Sequence, residues 1–491
     1  MLLMNETFFW YDYETFGLES RSDRPAQFAG IRTNLELEEV DESVNVYCKP
    51  SSDTLPSPMS CLITAITPQY CQKNGVPEYE FASIVSRELS APNTIGVGYN
   101  NIKFDDEFNR FLFWRNLFDP YAHTWKNGCG RWDLTKVVQA LYALKPNAII
   151  WPQAENKIVS TKLEDLCKAN NISHESAHDA LSDVRATIAL AKLIKNVEPK
   201  LFDYCFKLRN KDFVLSQFSS INIKKSELPP IDKRSPILHV SPMFGAARGF
   251  LTMVYPLLVH PTNDKEIIVW DLQSDPSVLA DLSADEIKTR IFTRNEDLPN
   301  DMKRLPIKTI AINQSPFVIK DLRVLTNERA SQLDIDLDQI EKHVERARKL
   351  QLDISVWQKV YSRGYDPVDV DESLYQGFIQ DSDRAQLERA KKLNGSDLSK
   401  STWSFTDSRL NELVFRYRAR NFPDHLNSEE LEKWKGICFE KIAKKMPVFN
   451  KELEELRSKV SNSEASILEQ VQLWAQHLCE NAGTKLINLG N

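Results

Sequence analysis

The sequence predicts a multidomain α/β protein: a compact α/β domain first, a small β-barrel-like unit with helical additions next, and an all-helical domain last. Three observations carry this. The 491 residues are 42% hydrophobic and 27% charged, a globular composition, and the length favours two to four domains over one. Strand-like text in the first hundred residues gives way to helical periodicity from residue 104. Beyond Asp353 strand signals fade and helical spacing runs to the end.

Residues 8–14, 27–34 and 44–49 are β-branched and aromatic runs separated by turn-rich text, which predicts an antiparallel meander. "TIGVGYNN" (94–101) reads as a short buried strand, and "FDDEFNRFLFWRNLF" (104–118) has the spacing of an amphipathic helix. Segments 132–145, 161–171 and 177–196 continue as helices, the last rich in Ala, Leu and Ile, and the domain ends near residue 198. Residues 199–235 carry eight Lys/Arg against four Asp/Glu, a net +4, and read as a Pro-containing connection. "PILHVS", "GFLTMVYPLLVH" and "EIIVWDL" then supply the strands of the barrel-like unit, which ends near residue 352. In the last part "RLNELVFRYRARN" and "SILEQVQLWAQHL" are helical. The Arg/aromatic alternation of "FRYRARNF" (415–422) spreads around a helix, so a packed interdomain helix with solvated charges is expected there rather than a binding face.

No stretch approaches the roughly 18 apolar residues of a membrane span, and the opening MLLMNETFFW lacks the marks of a signal peptide, so a cytoplasmic protein is expected. The eight cysteines are scattered with no CxxC pair and no histidine cluster nearby, so neither a zinc site nor a disulfide framework is suggested. With a net charge of -7, nucleic-acid binding has to come from a local basic track.

"FFWYDYETFG" (8–17) poses the chemical question. On a strand Asp12 and Glu14 share one face while Tyr11 and Tyr13 share the other. Two carboxylates on one face repel and resist burial unless a cation neutralises them. Taken alone, the pair is weak evidence, and an edge strand with its acidic face in water is the better account of it. More acid follows: Asp105 and Asp106 stand at a strand-to-helix junction, where carboxylates also act as caps, and "AHDALSDVRA" supplies His178 and Asp183. Five residues is not a same-face helical spacing, so His178 is expected in the entering loop or first turn, with Asp183 one turn inside. Magnesium or manganese suits oxygen ligands, and a pair of ions about 4 Å apart is the usual device for attack of water on a phosphodiester.

The ordered set Asp12-Tyr-Glu14, Asn101-Ile-Lys-Phe104-Asp105 and His178-Asp-Ala-Leu-Ser-Asp183 resembles the three motifs of the DEDD exonuclease superfamily in its histidine-bearing branch. "DYETFG", "DRPAQFAGIRT", "GYNNIKFDDE", "RNLFDPYA", "HVSPMFGAARG", "LYQGF" and "FRYRARNFP" are similar to the bacterial exonuclease I family, across residues 12 to about 423. The resemblance implies a ribonuclease H-like exonuclease domain (1–198), an SH3-like domain (199–352) and a helical domain (353–491) that together encircle single-stranded DNA. It implies 3′ to 5′ hydrolysis of that DNA to 5′-mononucleotides, in repair and recombination. Asp12, Glu14 and Asp183 would hold one or two Mg²⁺ ions, Mn²⁺ being an alternative, with Asp105 a further ligand. His178 would be the general base, since imidazole exchanges protons near neutral pH.

In the same family pattern Glu14 touches the terminal 3′ hydroxyl, and Arg110, Tyr121, Trp125, Gln139 and Lys162 line the DNA path. Lys162 departs from an expected arginine and is the weaker bidentate clamp. Trp132 is expected in the core. The resemblance further implies docking of the acidic C-terminal tail of single-stranded-DNA-binding protein on basic residues of the second domain, and a monomer. An RNA-trimming enzyme of the same branch and a non-catalytic single-stranded nucleic-acid-binding accessory protein are the competing readings; the long extension argues against the first, and the complete carboxylate and histidine set against the second.

Overall fold

The computed structural model describes residues 6–153, 158–174, 178–219, 227–299, 301–362, 364 and 367–483. They form two compact units. The first draws on three stretches, Met1–Gly130, His174–Ile188 and Asp366–Asn491; the second comprises Arg131–Ser173 and Ala189–Tyr365.

In the first unit β1 (Thr7–Thr15), β2 (Pro25–Thr33), β3 (Val44–Tyr47) and β4 (Thr94–Gly98) lie side by side in the order β3-β2-β1-β4. The meander is antiparallel, whereas β4 joins β1 in parallel, Thr7 beside Thr94 and Trp10 beside Val97. A parallel neighbour requires a crossover, and the helices Pro58–Thr64, Pro68–Asn74 and Glu78–Leu89 provide it. Alternation along β1 sends Phe9, Tyr11 and Tyr13 into an aromatic core with Phe28, Phe81 and Leu112. Asp12 and Glu14 therefore project from the opposite face. The next helix, Asp105–Arg115, begins with three acidic residues, which suit the positive end of its dipole.

The last stretch of the chain completes this unit. Helix Ser428–Arg457 starts with an Asn427/Glu430 capping box and helix Asn462–Asn481 with a Ser461/Glu464 box. Their apolar faces, including Trp434, Ile442, Phe449, Leu468 and Val471, share one core with Phe16, Leu55, Cys61 and Cys71 from the opening stretch. A second shared core joins Phe111 and Trp114 to Leu387, Leu410, Leu413 and Tyr417.

Between them lies a buried ion network. Arg420, in helix Arg409–Asn421, donates to Asp53 at 2.9 Å and Asp371 at 3.0 Å; Arg24 also reaches Asp53, at 3.1 Å, and Arg115 pairs with Glu78, at 3.1 Å. Arg416 bonds Asp369 at 2.7 Å, Lys441 bonds both Asp53 and Asp371, and Arg418 bonds Glu430. The surrounding cations hold the Asp53 and Asp371 carboxyls well below the usual range despite their burial. All three arginines of "FRYRARNF" are thus engaged inside the protein, in keeping with the packed helix expected there, but their charges are paired rather than solvated.

β5 (Gly130–Asp133) leads into the second unit, where helix Leu134–Leu144 follows. Trp132 is fully buried, as expected, but on the strand rather than in the helix. The unit's sheet comprises β6 (Ile237–Val240), β7 (Leu251–Val259), β8 (Glu266–Asp271), β9 (Ile307–Ala311) and β10 (Phe317–Ile319), antiparallel throughout, in the order β10-β6-β7-β8-β9. The expected connection after residue 199 is instead helical, over Pro199–Lys207 and Lys211–Gln217. Pro199 opens the first helix and the Asn210 side chain caps the second. Phe202 and Phe206 pack edge-on against Trp132, and the Tyr204 hydroxyl donates to the Val318 carbonyl at 2.8 Å. Lys224 and Lys225 of the basic track lie outside the described residues.

All eight cysteines are buried and unbridged. No helix among the described residues is long and apolar enough to cross a membrane.

Candidate active site

Two tyrosines on the core side of β1 brace the carboxylates on its other side. The Tyr11 hydroxyl donates to Asp106 Oδ1 at 2.6 Å and accepts from Asn109 Nδ2 at 3.3 Å; the Tyr13 hydroxyl donates to Asn109 Oδ1 at 2.7 Å. The Tyr13 main-chain N–H donates to Asp105 Oδ1 at 3.1 Å. The two adjacent aspartates thus divide their work. Asp106 anchors a core phenol, while Asp105 sits against the β1 backbone beside Asp12, whose carboxyl feels its charge.

Asp183 arrives on helix Ala180–Val197, whose start is clamped from the sheet. Gln27 stands opposite Glu14 in the β1–β2 register. Its Nε2 donates to Asp179 Oδ1 at 2.9 Å, and its Oε1 accepts from the Ala180 N–H at 3.4 Å. The other oxygen of Asp179 accepts from the Ser182 N–H at 3.1 Å and so caps the helix. Just before the cap His178 adopts a left-handed backbone, φ 65°, a conformation that few non-glycine residues take. The result is a cluster in which donor atoms of Glu14, His178 and Asp183 all lie within 4.8 Å of one another. Asp183 also accepts the His178 main-chain N–H, and its Oδ1 lies 2.5 Å from His174 Nε2.

The cluster is electrostatically frustrated. Burial, reinforced by Asp105 and Asp183, pushes the Asp12 carboxyl well above the carboxylate range. Burial, then the charges of Asp12, Asp183 and Asp179, push Glu14 up to about 9. Burial also raises Asp183, against the opposing pull of His174. Such a set of uncompensated carboxyl oxygens with one imidazole fits a hard divalent cation, whose charge would reverse these shifts.

The remaining expected residues are placed as follows. Arg110 is largely buried: it pairs with Glu107 at 2.5 Å, donates to the Tyr375 hydroxyl at 3.1 Å and lies 5.5 Å from the Tyr121 ring centre. Tyr121 is half-buried, whereas Trp125 is 64% exposed. Gln139 and Lys162 belong to the second unit; Gln139 is buried with no hydrogen-bond partner on Oε1 among the described residues, and Lys162 is exposed at the start of helix Leu163–Ala169. Sequence reasoning missed Gln27, His174 and Asp179. A faint signal existed for His174 in the repeated histidine of "SHESAH".

Comparison with known proteins supplies the family. Residues 9–191 match the family model "Exonuclease", 223–363 "Exonuclease I SH3-like domain" and 368–478 "Exonuclease I C-terminal domain". Exodeoxyribonuclease I of Haemophilus influenzae is 40% identical over 474 residues, which cover 95% of this chain and 97% of that one. The chain belongs to the exonuclease I family. Within that family, the crystal structure of E. coli exonuclease I in complex with a dA16 oligonucleotide is similar at a TM-score of 0.89 and 36% identity, covering 96% of this chain and all (100%) of that one. The zinc-bound form of the E. coli enzyme with single-stranded DNA has the same TM-score, 0.89, at 37% identity, with coverages of 97% and 100%. The exonuclease I match extends to residue 478, beyond the stretch whose motifs carry the resemblance in the sequence.

Proposed function

We propose that this chain is a 3′ to 5′ exodeoxyribonuclease that hydrolyses single-stranded DNA and releases 5′-mononucleotides. The observation that carries the proposal is the convergence of Glu14, His178 and Asp183 donor atoms within 4.8 Å beside Asp12 and Asp105. Asp12, Glu14 and Asp183 would hold one or two divalent ions, with Asp105 a ligand directly or through water; Mg²⁺ is the natural choice and Mn²⁺ the alternative. When bound, such ions polarise the scissile phosphate and make water a better nucleophile. The chain's residues do the rest. His178, exposed at the cluster's edge, takes the proton from the attacking water. Glu14 holds the terminal 3′ hydroxyl, and the Tyr11/Tyr13/Asn109 brace keeps β1 from yielding as charge develops.

Trp125 and Tyr121 would stack bases, and Arg110, Gln139 and Lys162 would line the strand's path. We extend the reading to a monomer in the cytoplasm, divided at about residues 198 and 352, that serves DNA repair and recombination. The C-terminal tail of single-stranded-DNA-binding protein would dock on basic residues of its middle domain. The deciding experiment digests 3′-labelled single-stranded DNA, duplex DNA and RNA with Mg²⁺ or with EDTA. Mononucleotides from single-stranded DNA alone, and only with Mg²⁺, are expected; preferential trimming of RNA would overturn the assignment.

A further inference from the structure

We propose that His174 is a positioning residue for Asp183, and through it for the divalent ion, in a role separate from that of His178. The inference rests on the reading of Asp183 as a metal ligand. Four observations carry it. His174 Nε2 lies 2.5 Å from Asp183 Oδ1. The His174 side chain is only 7% exposed, and that of Asp183 18%. The other ring nitrogen, Nδ1, is buried with no hydrogen-bond partner among the described residues. His178, by contrast, is exposed, and its own ring joins the Glu14/Asp183 cluster.

These facts assign the ring's orientation. A carboxylate oxygen can only accept, so the ring N–H that finds a partner is the one on Nε2, aimed at the carboxylate. That nitrogen is then committed as a donor and is not the acceptor of a proton from water. Its effect falls on Asp183, which sits among Asp12, Glu14 and Asp179 and would otherwise be repelled from them. The Nε2–H donor holds the carboxylate in place. The His178 main-chain N–H supplies the second tether. Together the two fix the carboxylate before any ion arrives, and outer partners of this kind typically govern ligand affinity by about 10–100-fold.

The test uses the full chain and Mn²⁺, with free Mn²⁺ followed by electron paramagnetic resonance. H174L fills the ring's volume without a donor and H174Q keeps an N–H donor. H174L should raise the Mn²⁺ dissociation constant by about 10–100-fold, with kcat near wild type at saturating metal and DNA affinity in EDTA unchanged. H174Q should restore most of the metal affinity. Wild-type Mn²⁺ affinity in H174L would overturn the inference, as would equal losses in H174L and H174Q. A fall in kcat at saturating metal with unchanged affinity would also overturn it, making His174 a proton acceptor instead. D183N in the same titration separates the two levels: wild-type affinity there overturns the ligand reading itself, whereas loss in D183N without loss in H174L overturns only the positioning role.

Discussion

Replacing Glu14 with glutamine should stabilise the metal-free protein at pH 8 while abolishing its catalysis. Burial and three neighbouring carboxylates move Glu14 from 4.5 to about 9. A carboxyl raised in this way binds its proton more tightly folded than unfolded. Its contribution to stability is complete below about 4.5 and drains away as pH rises toward about 9. At 1.36 kcal/mol per pH unit, the interval from 4.5 to 8 removes at most about 5 kcal/mol; because Asp12 shares the same repulsion, a loss of about 2–5 kcal/mol is expected. Glutamine keeps the shape and drops the charge. The measurement is thermal unfolding of both proteins in EDTA at pH 5 and pH 8. E14Q should melt roughly 3–9 °C above wild type at pH 8 and nearly coincide with it at pH 5. Added Mg²⁺ should narrow the gap at pH 8 by stabilising the wild type more. If E14Q melts at or below wild type at pH 8, the cluster is not the seat of repulsion described above.

Three further outcomes are expected. His178→Ala should lower kcat by about 10²–10⁴-fold and leave DNA affinity in EDTA intact; near-normal turnover would remove it as the general base. Trp125→Ala should weaken single-stranded DNA binding by about 1–3 kcal/mol in fluorescence anisotropy without shifting the melting temperature, since the ring is 64% exposed. Arg420→Ala leaves Asp53 and Asp371 buried with fewer cations and should cost about 3–5 kcal/mol in calorimetry, whereas a loss under about 1 kcal/mol would be that of a surface pair.

What the sequence disclosed was whatever repeats locally. Period-two alternation placed Asp12 and Glu14 on one face of β1, and the five-residue spacing put His178 ahead of the helix that carries Asp183. Gln27 escaped notice because its partner, Asp179, is 152 residues away and nothing nearby marks the pair. The ion network was hidden for the same reason: Arg24, Asp53, Glu78, Asp371 and Arg420 each read singly as a solvated charge. β9 and β10, five and three residues long, are too short to show alternation. The net charge of 199–235 obscured two helices whose Pro199 start and Asn210 cap were both visible.

The ion network has a consequence for biosynthesis. Arg24, Asp53, Glu78 and Arg115 are made early, but Asp371, Arg420 and Lys441 leave the ribosome about 240–310 residues after the first stretch of the unit closes at Gly130. At about 5–20 residues per second, that delay is roughly 15–60 s. Throughout it Asp53 has Arg24 but lacks Arg420 and Lys441, so the network's early half waits, incompletely neutralised, for the end of the chain.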